Sequence, residues 1–225
     1  MSTSVYDHFA KDFSKTRYSI WNGVRRFMDG LTKYSFVADV GCGNGKNMLY
    51  RRDIVIIGND LSNELTHIAS DKTGCDVCHA NGLHLPYKSC SMDAVLNVAV
   101  LHHLSKYSER KTFVNELIRI ARPGGKIFIT VWAKEQTPKR KWVPVDGCAD
   151  GSDFWVPWHA SDGSVYQRFY THVQAKWKHF HLPNTQLFFT FRGCPFNFDK
   201  DLPSKLALVN LLPHMSKVST CFLKH

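Results

Sequence analysis

From Val37 to Asp60 the chain reads VADVGCGNGKNMLYRRDIVIIGND. One apolar run ends at Asp39, Gly41, Gly43 and Gly45 follow at alternate positions, and a second apolar run from Ile54 to Ile57 leads to Asp60. Few folds accommodate that order. Glycines at a strand exit let the backbone turn sharply and approach a ligand with no Cβ in the way, and the following helix offers its free N–H groups. The carboxylate 21 positions after Asp39 falls where a second parallel strand would present it to a ribose diol. The spacing implies a nucleotide-type ligand, although a plain glycine-rich connection between two buried strands satisfies the same letters.

The rest of the chain fits an alternating α/β pattern. Val5, Phe9 and Phe13, then Ile20, Trp21, Val24, Phe27, Met28 and Leu31, predict two helices before the first strand. Ser62 is placed to cap a helix with Leu65, Ile68 and Ala69 on its apolar face, stopped at Gly74. Residues 75–79 read as a short third strand, and DAVLNVAV at 93–100 reads as a central strand covered on both faces. Ser108 opens a helix that ArgProGlyGly at 122–125 ends, and KIFITVWA follows as a strand that delivers Trp132 and Glu135 to the same sheet edge. Strand–helix alternation over 37–133 implies a mostly parallel sheet with helices on both faces, one domain across residues 1–225. Residues 134–160 lose periodicity and are expected to form a substrate lid or loop, with Lys139, Arg140 and Lys141 beside the aromatic DFWVPWH. Beyond it, QLFFTFR at 186–192 has strand character and 204–212 a helical spacing.

The balance of 29 Lys+Arg against 19 Asp+Glu, a formal +10, favours a polyanionic partner. Seven cysteines in an odd, dispersed set argue for reduced thiols rather than a disulfide framework. Cys75 and Cys78 have CxxC spacing but no second ligand pair follows, so no metal site is expected. No stretch approaches the ~18 apolar residues of a membrane span, and MSTSVYDHFA lacks a signal-peptide core. A soluble cytoplasmic protein, with the nucleus as a second compartment, is the expectation.

Several polar residues lie where open α/β sheets bind ligands. His102 and His103 sit at the end of the central strand; one is expected to pack or to bond a backbone carbonyl, the other to face the site. Asn81 at the third strand's exit suits either an adenine edge or plain Asn-Gly turn chemistry. Arg17 sits at a helix junction, where it suits a ligand contact or an exposed stem lying on an aromatic ring.

DVGCGNG with Asp60 resembles the nucleotide-binding signature of class I S-adenosylmethionine (SAM) methyltransferases; the dehydrogenase pattern GxGxxG places its third glycine one residue later. FSKTRYSIW, DVGCGNGK, NGLHLP, NVAVLHHL, RPGGKIFITVWAKEQ, VPW at 156–158 and VYQRFYTHV at 165–173 occur in the order of one subfamily. They are similar to the eukaryotic tRNA wobble-uridine methyltransferases that esterify 5-carboxymethyluridine, and to the methyltransferase part of the fused AlkB-type tRNA hydroxylase. The resemblance covers about residues 4–173. It implies a Rossmann-like fold, SAM as cofactor and methyl esterification of U34. It also implies a cofactor site comprising Asp39, Gly41, Gly43, Gly45, Asp60, Asn81 and Val98. By the same resemblance Arg17, His102 or His103, Arg168 and His172 position the substrate carboxylate, which is already an anion at neutral pH. Its partners would be the tRNA anticodon loop and a small zinc-binding activator protein along the edge strand at 75–79. Asn81 stands where the family commonly has Asp, and 174–225 is a divergent tail. A small-molecule methyltransferase and a catalytically silent SAM-binding protein are the competing readings.

Overall fold

The computed structural model describes residues 4–132, 142–148 and 151–172, and the strand at 186–192 by its backbone. A 3-10 turn at Val5–Phe9 runs into α1 (Ala10–Lys15), and α2 (Asn22–Asp29) follows. Then come β1 (Phe36–Val40), β2 (Val55–Asp60), α3 (Asn63–Thr73), β3 (Val77–His79), β4 (Met92–Val98), α4 (Tyr107–Ile120) and β5 (Ala121–Trp132). β6 (Val143–Pro144), β7 (Asp153–His159), β8 (Val165–Thr171) and β9 (Gln186–Arg192) complete the described strands.

Six strands form one sheet in the order β3-β2-β1-β4-β5-β9, every pair parallel. Period-two alternation sends successive side chains of each strand into opposite cores. Val37, Ala94, Leu96 and Phe128 pack with Val24, Phe27 and Met28 of α2 and Ala69 of α3. Ala38, Val40, Val95, Ile127 and Ile129 pack with Phe113, Val114, Leu117 and Ile120 of α4 on the other face. Helices therefore cover both faces, as a buried parallel sheet requires. Ser62 caps α3 by accepting from the Leu65 amide at 3.2 Å, and Gly74 closes it with φ 66°.

Two local expectations need correction. ArgProGlyGly does not separate helix from strand: α4 ends at Ile120 and β5 begins at Ala121, so residues 122–125 form a bulge where the register jumps from Met92↔Ala121 to Ala94↔Lys126. The stretch expected to lack regular structure holds two strands instead. β6, β7 and β8 form a three-stranded antiparallel sheet over a small core of Trp132, Val156 and Tyr170. Period two does operate in β7, but aromatic residues occupy both faces and Pro157 interrupts the pattern, so the alternation is invisible in the letters. Lys139, Arg140, Lys141, Glu135 and the helical spacing at 204–212 lie outside the described residues. QLFFTFR is a strand, added in parallel to β5. Among the described residues no helix is long and apolar enough to cross a membrane.

The N-terminal segment bridges the two sheets. The Asp7 carboxylate accepts from Ser62 Oγ at 2.5 Å and from the Glu64 amide at 3.2 Å, tying the segment to α3. Asn44 Nδ2 donates to Ser14 O, Ser14 Oγ and Arg17 O at 3.0–3.2 Å, tying it to the glycine loop. Asp12 Oδ2 accepts from the Ser161 amide and hydroxyl, at 2.8 and 2.6 Å, in the β7–β8 turn. Those Ser161 bonds hold the Asp12 carboxyl down to about 2.

Candidate functional site

A cleft of about 1210 Å³, counted out to its open mouth, lies over the C-terminal ends of β1, β2 and β4, where open α/β sheets bind ligands. Gly41, Gly43 and Gly45 have φ of 77°, 58° and 73°, a region that β-carbon-bearing residues rarely adopt. Gly41 and Gly43 line the cleft. Gly45 does not: a Cβ there would lie 2.7 Å from Thr73 Cγ2 and 3.2 Å from the Ala69 Cβ, so this glycine lets α3 pack against the loop.

Asp60 lines the cleft and accepts one backbone N–H on each oxygen, from Gly43 and from Ser62, both at 2.9 Å. A carboxylate has about four lone-pair sites, so two remain for a ligand's hydroxyl pair. Burial pushes its carboxyl up despite those bonds. Asp39 lies below the cleft rather than in its wall, fully buried, with Oδ1 unpartnered and Oδ2 accepting from Asn47 Nδ2 at 3.3 Å. Burial raises its carboxyl to about 7, the Asn47 hydrogen bond opposing and the Asp60 charge reinforcing. Asn81 stands at the exposed rim, its Oδ1 accepting from the Leu83 amide at 2.9 Å, so turn chemistry uses the oxygen while the side chain still borders the cleft. Val98 also lines it.

β4 leaves the sheet through Ala99, at φ 61°, whose amide donates to Thr130 Oγ1 at 2.9 Å. The 3-10 turn that follows, Leu101–His103, separates the two histidines. His102 is fully buried behind the cleft, its ring centroid 4.6 Å from that of Tyr170. His103 lines the cleft and also bonds a carbonyl: Nδ1 meets Phe169 O at 2.9 Å and Nε2 meets the Tyr6 hydroxyl at 3.1 Å. A carbonyl only accepts, so Nδ1 carries the proton and Tyr6 donates to Nε2. Burial, with the Arg168 charge adding to it, lowers His103 to about 4, so the ring is neutral at physiological pH.

Arg168, in β8, is 3% exposed and lines the same cleft. Its guanidinium lies 5.1 Å from the Trp158 ring and 5.3 Å from the Tyr170 ring, and Nε has no hydrogen-bond partner. No carboxylate among the described residues forms an ion pair with it. Arg17 comes to the mouth of the cleft over Phe13, at 4.9 Å, and the opposite reach of Trp158, at 5.7 Å. His172 is not brought to the cleft; it packs between Phe154 and Trp142, with ring centroids 4.7 and 5.3 Å away. Parity alone would put His172 with Arg168 and Tyr170, but it lies past the end of β8, its amide donating to Ser152 O at 2.8 Å.

Sequence reasoning missed Tyr6, Phe13, Trp21, Lys46 and Tyr170 in the lining. Tyr6 is 97 residues from His103, and only the folded N-terminal segment brings the two together. The one signal was that Tyr6 lies within the stretch of the helical stripe Val5, Phe9, Phe13 without joining it. Cys75 and Cys78 direct their sulfurs to Thr73 O and the Tyr87 hydroxyl, 3.9 and 3.8 Å away.

Glycines at the exit of β1, an acid at the end of β2 with free acceptor capacity, and this strand order together define a class I SAM-dependent methyltransferase. Residues 38–129 match the family described as a methyltransferase domain. Over 172 residues the chain is 37% identical to the tRNA (carboxymethyluridine(34)-5-O)-methyltransferase of Schizosaccharomyces pombe, covering 76% of this chain and 71% of that protein. The chain belongs to the family of the tRNA (carboxymethyluridine(34)-5-O)-methyltransferases. It is 43% identical over 144 residues to the enzyme of that name from Arabidopsis thaliana, covering 63% of this chain but 35% of that protein. Against the Xenopus tropicalis relative, 42% identical over 137 residues, it spans 22% of the protein's length. Among solved structures, the PH0226 protein of Pyrococcus horikoshii has the same fold at a TM-score of 0.55 and 14% identity, over 67% of this chain and 74% of that one.

Proposed function

We propose that this chain transfers a methyl group from SAM to a carboxylate oxygen of 5-carboxymethyluridine at wobble position 34 of tRNA, giving the methyl ester. The observation that carries this reading is Arg168: a buried guanidinium with no carboxylate counterpart among the described residues, held on aromatic faces in the wall of the cleft. A buried charge without a partner is costly. An anionic substrate group entering the cleft would offset that cost.

The residues fit the cofactor. The lone pairs left on Asp60 suit the ribose hydroxyls, Gly41 and Gly43 allow close backbone approach, and Val98 and Asn81 border the base side. SAM supplies an electrophilic methyl group to an oxygen nucleophile. The chain's own task is to hold that oxygen in line and strip water from it. Arg168, with Arg17 at the mouth, attracts and orients the carboxylate without protonating it. The neutral His103, whose Nδ1–H is committed to Phe169 O and whose Nε2 is occupied by Tyr6, serves as a fixed wall and not as a base. A carboxylate needs none at neutral pH.

The net charge of +10 supports tRNA as the polyanion that delivers the nucleoside. β3 is the sheet's edge strand, with Val77, Cys78 and His79 half-buried, and this supports docking of a small zinc-binding activator protein by strand addition.

Nucleoside analysis of hypomodified tRNA incubated with SAM, the chain and such an activator tests the reading. Ester at U34 is expected, with Arg168→Met lowering kcat/KM by ~100-fold or more while binding of S-adenosylhomocysteine persists. Methylation of free small acids with none of tRNA would favour the small-molecule reading, and binding of S-adenosylhomocysteine with no methylation of either would favour the silent one.

A further inference from the structure

Tyr6 belongs to no motif that marks a methyl-transfer site, yet its hydroxyl sits at a junction of the cleft. The phenol has one proton and two lone pairs. Its proton goes to His103 Nε2 at 3.1 Å, because the opposite ring nitrogen is fixed as a donor by Phe169 O. Its oxygen keeps acceptor capacity, and Tyr6 lines the cleft together with Arg168 and Tyr170. Burial raises the Tyr6 hydroxyl well above its ordinary range, so it stays protonated and uncharged.

The rings of Phe9 and Phe13, with centroids 5.2 and 5.1 Å away, hold the Tyr6 ring, and His103 meets it edge-on at 5.6 Å. A purely structural tyrosine would need those contacts alone. The directed bond to His103 is what a phenylalanine would lack.

We propose that Tyr6 is a positioning residue for the transfer reaction: its hydroxyl, donated to Nε2, fixes the His103 ring and its tautomer in the wall of the cleft. The chemical logic lies in the type of donor. A phenol supplies a directed proton without a charge, so it holds the ring and adds no ion beside an anionic substrate. The relay Phe169 O, His103, Tyr6 thus joins β8, the histidine turn and the N-terminal segment in one chain of contacts. The groups facing His103 are Tyr6 from the N-terminal segment, His102 on its own turn at a centroid distance of 4.5 Å, and Tyr170 and Arg168 from β8. None is an acid, and burial outweighs the Phe169 carbonyl, which favours the protonated ring.

This inference rests on the esterification reading for its kinetic arm but not for its spectroscopic one. In the full chain labelled with nitrogen-15 at histidine, the His103 resonances are expected to report a proton on Nδ1 and none on Nε2, unchanged between about pH 5 and 8. In Tyr6→Phe the Nε2 resonance is expected to shift, because that nitrogen loses its hydrogen-bond donor. The same variant is expected to lose ~10- to 100-fold in kcat on carboxymethyluridine tRNA, with affinity for S-adenosylhomocysteine within about threefold of the wild type. A wild-type His103 that titrates between about pH 6 and 7 overturns the relay. A folded Tyr6→Phe with unchanged kcat and unchanged histidine resonances overturns the positioning role, provided the wild type makes ester. If the wild type makes none, the reaction itself is at fault, and the resonances still decide the relay.

Discussion

Burial decides the chemistry of single side chains here more than sequence position does. Asp39 shows it most clearly. The family resemblance implied a place for it in the cofactor site; the fold puts it beneath the cleft, with one oxygen unpartnered and its carboxyl raised from 3.8 to about 7. A group raised on folding binds more protons folded than unfolded, so its stabilising effect is complete below pH ~3.8 and is lost as pH climbs toward 7. Asp39→Asn removes that loss. Chemical denaturation between pH 4 and 7.5 is expected to show the variant gaining on the wild type as pH rises, by up to roughly 4 kcal/mol at the neutral end. A constant difference across the range would mean that Asp39 is not protonated in the folded state. The histidine pair teaches the same lesson: letters could not choose between His102 and His103, because a single 3-10 turn decides which ring is buried and which borders the cleft.

Elements differ in how openly the sequence announced them. β1, β2 and β4 are mostly apolar runs, the mark of a central parallel strand, and their edges were legible to within about three residues. β7 was not, since Phe154, Trp155, Pro157 and Trp158 give it no polar face. The glycine loop was legible as a loop, but not the division of labour within it. Gly41 and Gly43 serve the ligand side, whereas Gly45 serves the packing of α3. Gly45→Ala combines a strained φ with overlap against Thr73 and Ala69, which costs about 1–3 kcal/mol. Calorimetry is expected to give a thermal midpoint lower by roughly 5 °C, with S-adenosylhomocysteine affinity close to wild type below the transition. A large loss of affinity at unchanged stability would instead return Gly45 to the ligand side.

At the scale of the molecule, residues 4–21 behave as a strap. They touch α3 through Asp7, the glycine loop through Ser14 and Arg17, the histidine turn through Tyr6 and the antiparallel sheet through Asp12. Each tie is one or a few polar bonds, and the strap's own helix, α1, has six residues, too few to be stable alone. Ser4, Tyr6, Phe13 and Arg17 of the strap all border the cleft, so a ligand there adds to every tie at once. Amide exchange is expected to slow more over residues 5–21 than over α4 when S-adenosylhomocysteine is added; equal slowing in both would point to global stabilisation only. No reading of the letters could find this strap, since its partners lie between 27 and 149 residues away.

Two kinds of positive charge are thus present, and they distinguish different things. The formal +10 spread over the chain attracts a polyanion equally before and after the reaction. Arg168 does not, because esterification erases the one negative charge that a buried guanidinium could have answered. On the proposed reaction the cleft recognises its substrate by a charge and rejects its product by the absence of that charge. Turnover would then be built into the pocket, while the tRNA body stays held by the surface around it.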